Sequence, residues 1–199
     1  MALKFQYNKT ALRDLEKQLN IRTRALPTLK NKESALRVEV KKAKKMVDAF
    51  TEEINQKMEE FKPYASLWCE FDPSLIQIDE INTSTTKIAG VKIEVFESIK
   101  FSDNSYNIFG LPLWFVDGMV FIIDTVTLKI KIQYAEEMME LLEHARRKTT
   151  QKVNLYEKVQ IPGYESAIRK IKRFLEDEEN LSKAAQKIIK KRKTEVAEV

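Results

Sequence analysis

A 3.5-residue apolar period dominates the first third of this chain and limits what it can fold into. On a 3-4-3-4 grid from Leu12, one set of positions holds Leu12, Leu19, Leu26, Glu33, Val40, Val47, Ile54 and Phe61. The other holds Leu15, Arg22, Leu29, Leu36, Ala43, Phe50 and Lys57. Twelve of the fifteen are apolar, against 43% for the whole chain. A period of 3.5 kept up this long marks a helix with a coiled-coil seam. Fifty-odd residues at 1.5 Å each give an arm of roughly 80 Å, far longer than a compact domain needs. Pro27 falls inside it, where a helix loses a backbone bond and clashes with the preceding turn. The seam keeps its phase on both sides of Pro27, which reads as a kink. The alternative is two helices meeting at Ala25 to Thr28.

A second periodic stretch occupies the C-terminal part. One grid runs through Tyr134, Met138, Leu141, Ala145, Lys148, Lys152, Leu155 and Val159. Another runs through Tyr164, Ala167, Ile171, Phe174, Glu178, Leu181, Ala185, Ile188 and Arg192. The phase slips between them beside Pro162 and Gly163, which predicts a local kink or stutter. The expected seam comprises Leu12, Leu15, Leu19, Leu26, Leu29, Leu36, Val40, Val47, Phe50 and Ile54 on the first arm. On the second it comprises Ala167, Ile171, Phe174, Leu181, Ala185 and Ile188.

Most of the turn-forming residues fall between the arms: Pro63, Pro73, Gly90, Gly110 and Pro112. Lys87 to Phe96 alternates around Ile88, Val91, Ile93 and Val95 like a strand, and Ser102 to Asn107 has turn chemistry. We expect a small β-hairpin knob at roughly Thr83 to Phe109. Leu113 to Gln133 is ambiguous: Thr125 to Tyr134 alternates like a strand, yet its apolar residues also fit one helical face. The expected fold is mainly α, a long antiparallel two-helix coiled coil. Its parts are an N-terminal arm (1–62), a central knob with a β-hairpin (63–112) and a C-terminal arm (113–199).

Composition agrees with long uninterrupted elements: 33% of the 199 residues are charged, with only four glycines and five prolines. The net charge of +5 comes from 35 basic and 30 acidic residues in mixture, which reads as solvated helix surface. No stripe of one sign suggests nucleic acid. The longest strictly apolar run, Met119 to Ile123, is far short of the roughly 20 residues of a membrane span, so no direct membrane insertion is expected.

Enzyme chemistry is not indicated. The glycines are too scattered for a phosphate-binding loop. Cys69 and His144, the only residues of their types, do not make a zinc set, and no cofactor is expected. His144 reads as a surface histidine and Glu176 to Glu179 as a solvated face. Lys190, Lys191, Arg192 and Lys193 fit either a basic targeting or nucleic-acid motif or cations at the end of a helix dipole.

Several strings, in order, resemble those of the D subunit of the V-type and A-type ATPases. They are Leu26-Pro27-Thr28-Leu29-Lys30-Asn31-Lys32-Glu33, Ile88-Ala89-Gly90-Val91-Lys92-Ile93 and Thr149-Thr150-Gln151-Lys152-Val153-Asn154, followed by Glu157, Val159, Ile161 and Pro162. The basic close at Lys190 to Lys193 also fits. Pro27, the Gln151–Lys152 pair and Leu155–Tyr156 depart from the family pattern.

The resemblance implies a helix from about Leu113 and a non-catalytic central rotor shaft. Its paired termini would enter the bore of the hexamer of A and B subunits. Its knob end would lie near the F subunit and the cap of the proteolipid ring, which is the C or d subunit. The protein would be peripheral, on the cytoplasmic side of the membrane. Lys30, Lys32, Lys190, Lys191, Arg192 and Lys193 are the candidate hexamer contacts. The competing reading is a prefoldin-like coiled-coil chaperone or scaffold, which the basic C-terminal tip disfavours.

Overall fold

The computed structural model describes residues 5–71, 76–102, 112 and 114–197, with side chains through 193. Helix α1 spans Lys9–Phe61, the 3-10 helix η1 spans Lys62–Glu70, and strands β1 (Ile78–Ile88) and β2 (Val91–Phe101) follow. Helix α2 (Trp114–Leu155), a π-helical turn (Tyr156–Gln160) and helix α3 (Ile161–Ala197) complete the chain. The fold is thus mainly α, with long N- and C-terminal helices on either side of a two-stranded antiparallel hairpin.

The chain forms two compact units, each drawing on both arms: residues 1–31 with 149–199, and residues 32–148. In the first, Glu16 pairs with Lys172 at 2.9 Å and Lys30 with Glu157 at 2.7 Å. Ascending positions on α1 meet descending ones on the C-terminal arm, so the pairing is antiparallel. Asn8 caps α1, its Oδ1 accepting the Ala11 N–H at 2.6 Å. The helix continues through Pro27, as the unbroken seam phase led one to expect, and the alternative of two helices meeting at Ala25 to Thr28 is not met. Tyr164, Ala167, Ile168 and Ile171 are the buried apolar residues of α3.

In the second unit Leu36 and Ala43 of α1, Leu142 of α2 and Ile93 of β2 form one buried cluster. Val40, Ile88, Ala89, Val91, Met138, Met139 and Ala145 pack around it. Leu36 and Ala43 are one heptad apart, as are Ala135 and Leu142, both buried. Burying each such leucine contributes about 1.5–3 kcal/mol before the entropy of ordering. The hairpin therefore lies against the helices by its turn end.

That turn is Ala89-Gly90, with φ of 50° and 79°. A two-residue turn with positive φ at both positions matches the twist of the flanking strands. Gly90 adopts it freely, while Ala89 does so at a cost of about 1 kcal/mol.

The strands differ from expectation in their bounds. Lys87 to Phe96 is not one strand, because the turn falls inside it. The polar run Asn82 to Thr86, with no apolar alternation to signal it, is strand, paired from Asn82↔Ser98 to Thr86↔Ile93. The hairpin starts at Ile78 and its second strand ends at Phe101. The Ser102 N–H donates to the Gln77 carbonyl at 2.9 Å, while residues 103–111 lie outside the described ones.

Thr125 to Tyr134 is helix within α2. Its β-branched residues suit a strand, but burial of Leu128 on the helix decides the local choice. Thr127 settles its hydroxyl on the Ile123 carbonyl at 2.7 Å.

Candidate partner-binding surfaces

Of the three polar residues that interrupt the first-arm heptad, Arg22 and Lys57 bond directly to the second arm. In the first unit the Arg22 guanidinium lies 4.8 Å from the centre of the Tyr164 ring and 5.8 Å from that of Tyr156. Its Nε donates to the Gln160 side chain, and Nη1 donates to the backbone carbonyl and side chain of Gln18. In the second unit Lys57 pairs with Asp124 at 2.7 Å. Glu33 accepts from Arg37 at 3.0 Å and lies in the field of Arg146, whose pKa is raised chiefly by its hydrogen bond to Glu143 and slightly by Glu33. A polar group at a seam position fixes register, because any other alignment buries it unpaired.

The seam phase in the second arm is set by the π-helical turn. Within the first unit Thr149 and Ile171 are buried, Tyr164 is buried and Tyr156 is half-buried. Their spacings are seven, eight and seven residues, and the extra residue falls in the turn Tyr156–Gln160. The Ile161 N–H closes the turn on the Tyr156 carbonyl. Such a turn also has a steric cause. Pro162 has no N–H and, in an α-helix, its ring would strike the carbonyl four residues back; a wider turn gives it room. The slip expected beside Pro162 is therefore a π turn just before it.

The grid read from sequence for Tyr134 to Val159 holds only in part: Tyr134, Met138 and Ala145 are half-buried, the last two packed on the core cluster. Leu141, Leu155 and Val159 are exposed, whereas the buried set is Leu128, Ala135, Leu142 and Thr149. Paired apolar neighbours such as Leu141-Leu142 and Met138-Met139 gave two equally good phases, and only packing separates them.

Of the residues expected in the seam, Leu12, Leu15, Leu19, Leu26, Leu29, Val40, Val47, Phe50 and Ile54 are half-buried, and Leu36 is fully buried. Ala167 and Ile171 are buried. The rest of the second-arm set departs from expectation. Phe174 is 45% exposed, Leu181 73% and Ile188 56%, and Ala185 is exposed as well. For Leu181, Ala185 and Ile188 the reason is where α1 starts. Tyr7, just before it, meets Phe174 at 5.0 Å, so α3 runs on beyond the start of α1. Residues 176–193 are all exposed, leaving Leu181, Ala185 and Ile188 with no seam to join among the described residues.

The candidate contact residues are likewise spread out. Lys30 is held by Glu157. The Lys32 amine sits 3.5 Å from where a Cβ on Gly90 would lie, over the hairpin turn. Lys190, Lys191, Arg192 and Lys193 are exposed on the last turns of α3.

A feature that the heptad reading missed lies at the other end of the second unit. Phe61 of α1 stacks on Phe121 of α2 with centroids 3.7 Å apart, and Trp68 of η1 meets Trp114 edge-on at 5.9 Å. These rings line a cleft of about 570 Å³ together with Lys57, Glu60, Tyr64, Asp117, Val120 and Asp124. Buried Gly118 lies at its floor, where a Cβ would come within 3.1 Å of the Trp114 ring. The aromatic clustering of Phe61, Tyr64, Trp68 and Phe71 was the available sequence signal.

Among the described residues no group of His, Cys, Asp and Glu is arranged to hold a metal, and no helix is long and apolar enough to cross a membrane. His144 and Cys69 are exposed. These surfaces belong to a chain of long helices on either side of a two-stranded hairpin.

Comparison with known proteins gives that class its family. The family model for the ATP synthase D subunit matches residues 11–191, and the chain belongs to that family. It is 29% identical over 189 residues to the V-type ATP synthase D subunit of Borreliella burgdorferi, covering 94% of each chain. It is 27% identical over 197 residues to that of Chlamydia trachomatis serovar L2, covering 96% of this chain and 97% of the relative. It is 30% identical over 179 residues to that of Chlamydia felis, covering 85% and 86%.

Proposed function

We propose that this chain is the non-catalytic central shaft of a V/A-type rotary ATPase, transmitting torque between the A/B hexamer and the membrane ring. The observation that carries this reading is the end of α3. Leu181, Ile188 and Ile189 are 73%, 56% and 55% exposed on a helix that extends past its own partner and closes on Lys190 to Lys193. An isolated chain gains nothing by exposing such a stripe. A tip entering the bore of a hexamer would bury it, with the basic residues meeting the hexamer's surface.

Stiffness is the second requirement of a shaft. Polar keys hold the arms in register, and long helices with few glycines resist bending. On this reading the N- and C-terminal arms act in the bore, and the central part faces the F subunit and the C/d cap. The protein has no catalytic role and sits peripherally on the cytoplasmic side. Family membership favours this over a chaperone, since the matched relatives are components of an ATP synthase.

Reconstitution with purified A and B subunits tests the reading. The chain should co-elute with the hexamer, and Leu181→Asp with Ile188→Asp should weaken co-elution while leaving the isolated chain folded. A chain that neither joins the hexamer nor changes its ATPase rate would rule it out.

A further inference from the structure

The aromatic cleft of the second unit has the chemistry of a cation-binding groove. Its walls are the faces and edges of Phe61, Tyr64, Trp68, Trp114 and Phe121, and Tyr64 and Val120 are 53% and 57% exposed. Rings attract a cation placed over their faces, most strongly when water is excluded. The rim carries the complementary charge. Lys57 and Asp124 neutralise one another at 2.7 Å, which leaves the Glu60 and Asp117 carboxylates with no cationic partner among the described residues. The groove is thus locally acidic on a chain whose net charge is +5. Gly118 keeps the floor open, since a side chain there would fill the space beside the Trp114 ring.

We propose that this groove receives a lysine or arginine side chain carried on an apolar segment of a neighbouring protein of the complex. The apolar part of that segment covers Val120 and Tyr64, and its charged end lies between the rings and the Glu60 and Asp117 carboxylates. Such an anchor, central, aromatic and desolvated, is where interface energy concentrates. The inference rests on the reading of this chain as a component of a rotary complex.

The chain supplies its own reporter, because Trp68 and Trp114 are its only two tryptophans and both line the groove. In the free chain, the ratio of caesium to iodide quenching of their emission should exceed that of free N-acetyltryptophanamide, and Glu60→Gln with Asp117→Asn should return it to the free value. For the occupant, the full chain is labelled with 5-fluorotryptophan, and its two fluorine resonances are assigned with Trp68→Phe. The other purified subunits of the complex are then added one at a time. One of them should shift both resonances, and the Glu60→Gln/Asp117→Asn variant should bind that protein about tenfold more weakly. Asp124→Asn should change its affinity less.

If the chain assembles normally while both resonances stay fixed, or the double variant binds as well as the parent, the groove proposal fails and the shaft reading stands. A shift that depends only on the chain's own concentration would assign the groove to a second copy and overturn the proposal. Failure to join any of the other subunits would remove both.

Discussion

Arg22 of α1 lies 4.8 Å over the Tyr164 ring and donates to Gln160, so a charged residue at a seam position grips the second arm across its π-helical turn. Arg22→Ala should lower stability by about 1–2 kcal/mol, through the lost stacking and the Gln160 side chain left without its donor. Arg22→Leu should cost much less, since an apolar seam residue packs as well as the charged key. The key's worth should then show in register, as a less uniform set of cross-links between cysteines placed on the two arms. Denaturant unfolding gives the first quantity and disulfide trapping the second.

The π turn makes a counter-intuitive expectation. Deleting exposed Lys158 removes the extra residue and restores an even heptad from Tyr156 to Tyr164. The seam survives, but Pro162 then stands inside an ordinary α-helix at a cost of about 3 kcal/mol. Adding Pro162→Ala to the deletion should recover most of that loss. An alanine inserted after Lys158 should instead turn α3 by about 100° and carry Ala167 and Ile171 out of the seam, with a far larger fall in Tm. Equal damage from the insertion and from the deletion with Pro162→Ala would show that the turn does not set the phase.

Burial separates residues that the heptad treats alike. Leu36 and Ile171 are fully buried, whereas Leu181 is 73% exposed. Leu36→Asp or Ile171→Asp should cost more than about 4 kcal/mol, because each puts a charge into a packed seam. Leu181→Asp should change the Tm of the isolated chain by the equivalent of less than about 0.5 kcal/mol. Thermal melts followed by circular dichroism would show the contrast.

How much of this was legible in the sequence depended on how local the deciding interaction is. The first arm was readable because one heptad runs from Leu12 to Phe61 without a phase change. The second was half-readable. Its helical character showed, but Leu141-Leu142 and Met138-Met139 allow two phases, and the choice rests on contacts with Leu36 and Ile93. The π turn announced itself only as a slip beside Pro162. The end of the seam depends on where α1 starts relative to α3, a long-range relation that a periodic pattern in one helix does not carry. The hairpin's first strand, with its polar run Asn82 to Thr86, had no alternation to reveal it. The hairpin turn was misread too: Ala89-Gly90 fell inside a stretch whose apolar alternation reads as one strand.

Glu143 gives the fold a pH signature. Arg146 grips its carboxylate at 2.7 and 2.8 Å and Arg147 adds a bond at 3.0 Å. The Arg146 hydrogen bonds, with Arg147 beside them, lower its pKa from an ordinary value near 4.5 to about 2. A depressed folded-state pKa stabilises the fold above the unfolded value and loses that effect as pH falls toward the folded one. Glu143→Gln should therefore be less stable than the parent by about 0.5–1 kcal/mol at pH 7. The gap should close between about pH 4.5 and pH 2, as read by denaturant titration at each pH.

Rotation itself is the most direct test of the shaft proposal. Cys69 is the chain's only cysteine and is exposed, so a single marker attached there reports the motion of this chain alone. With the A/B hexamer fixed to a surface and ATP supplied, the marker should turn continuously in one direction, at a rate that follows ATP concentration. A complex that hydrolyses ATP while the marker on Cys69 stays still would contradict the account.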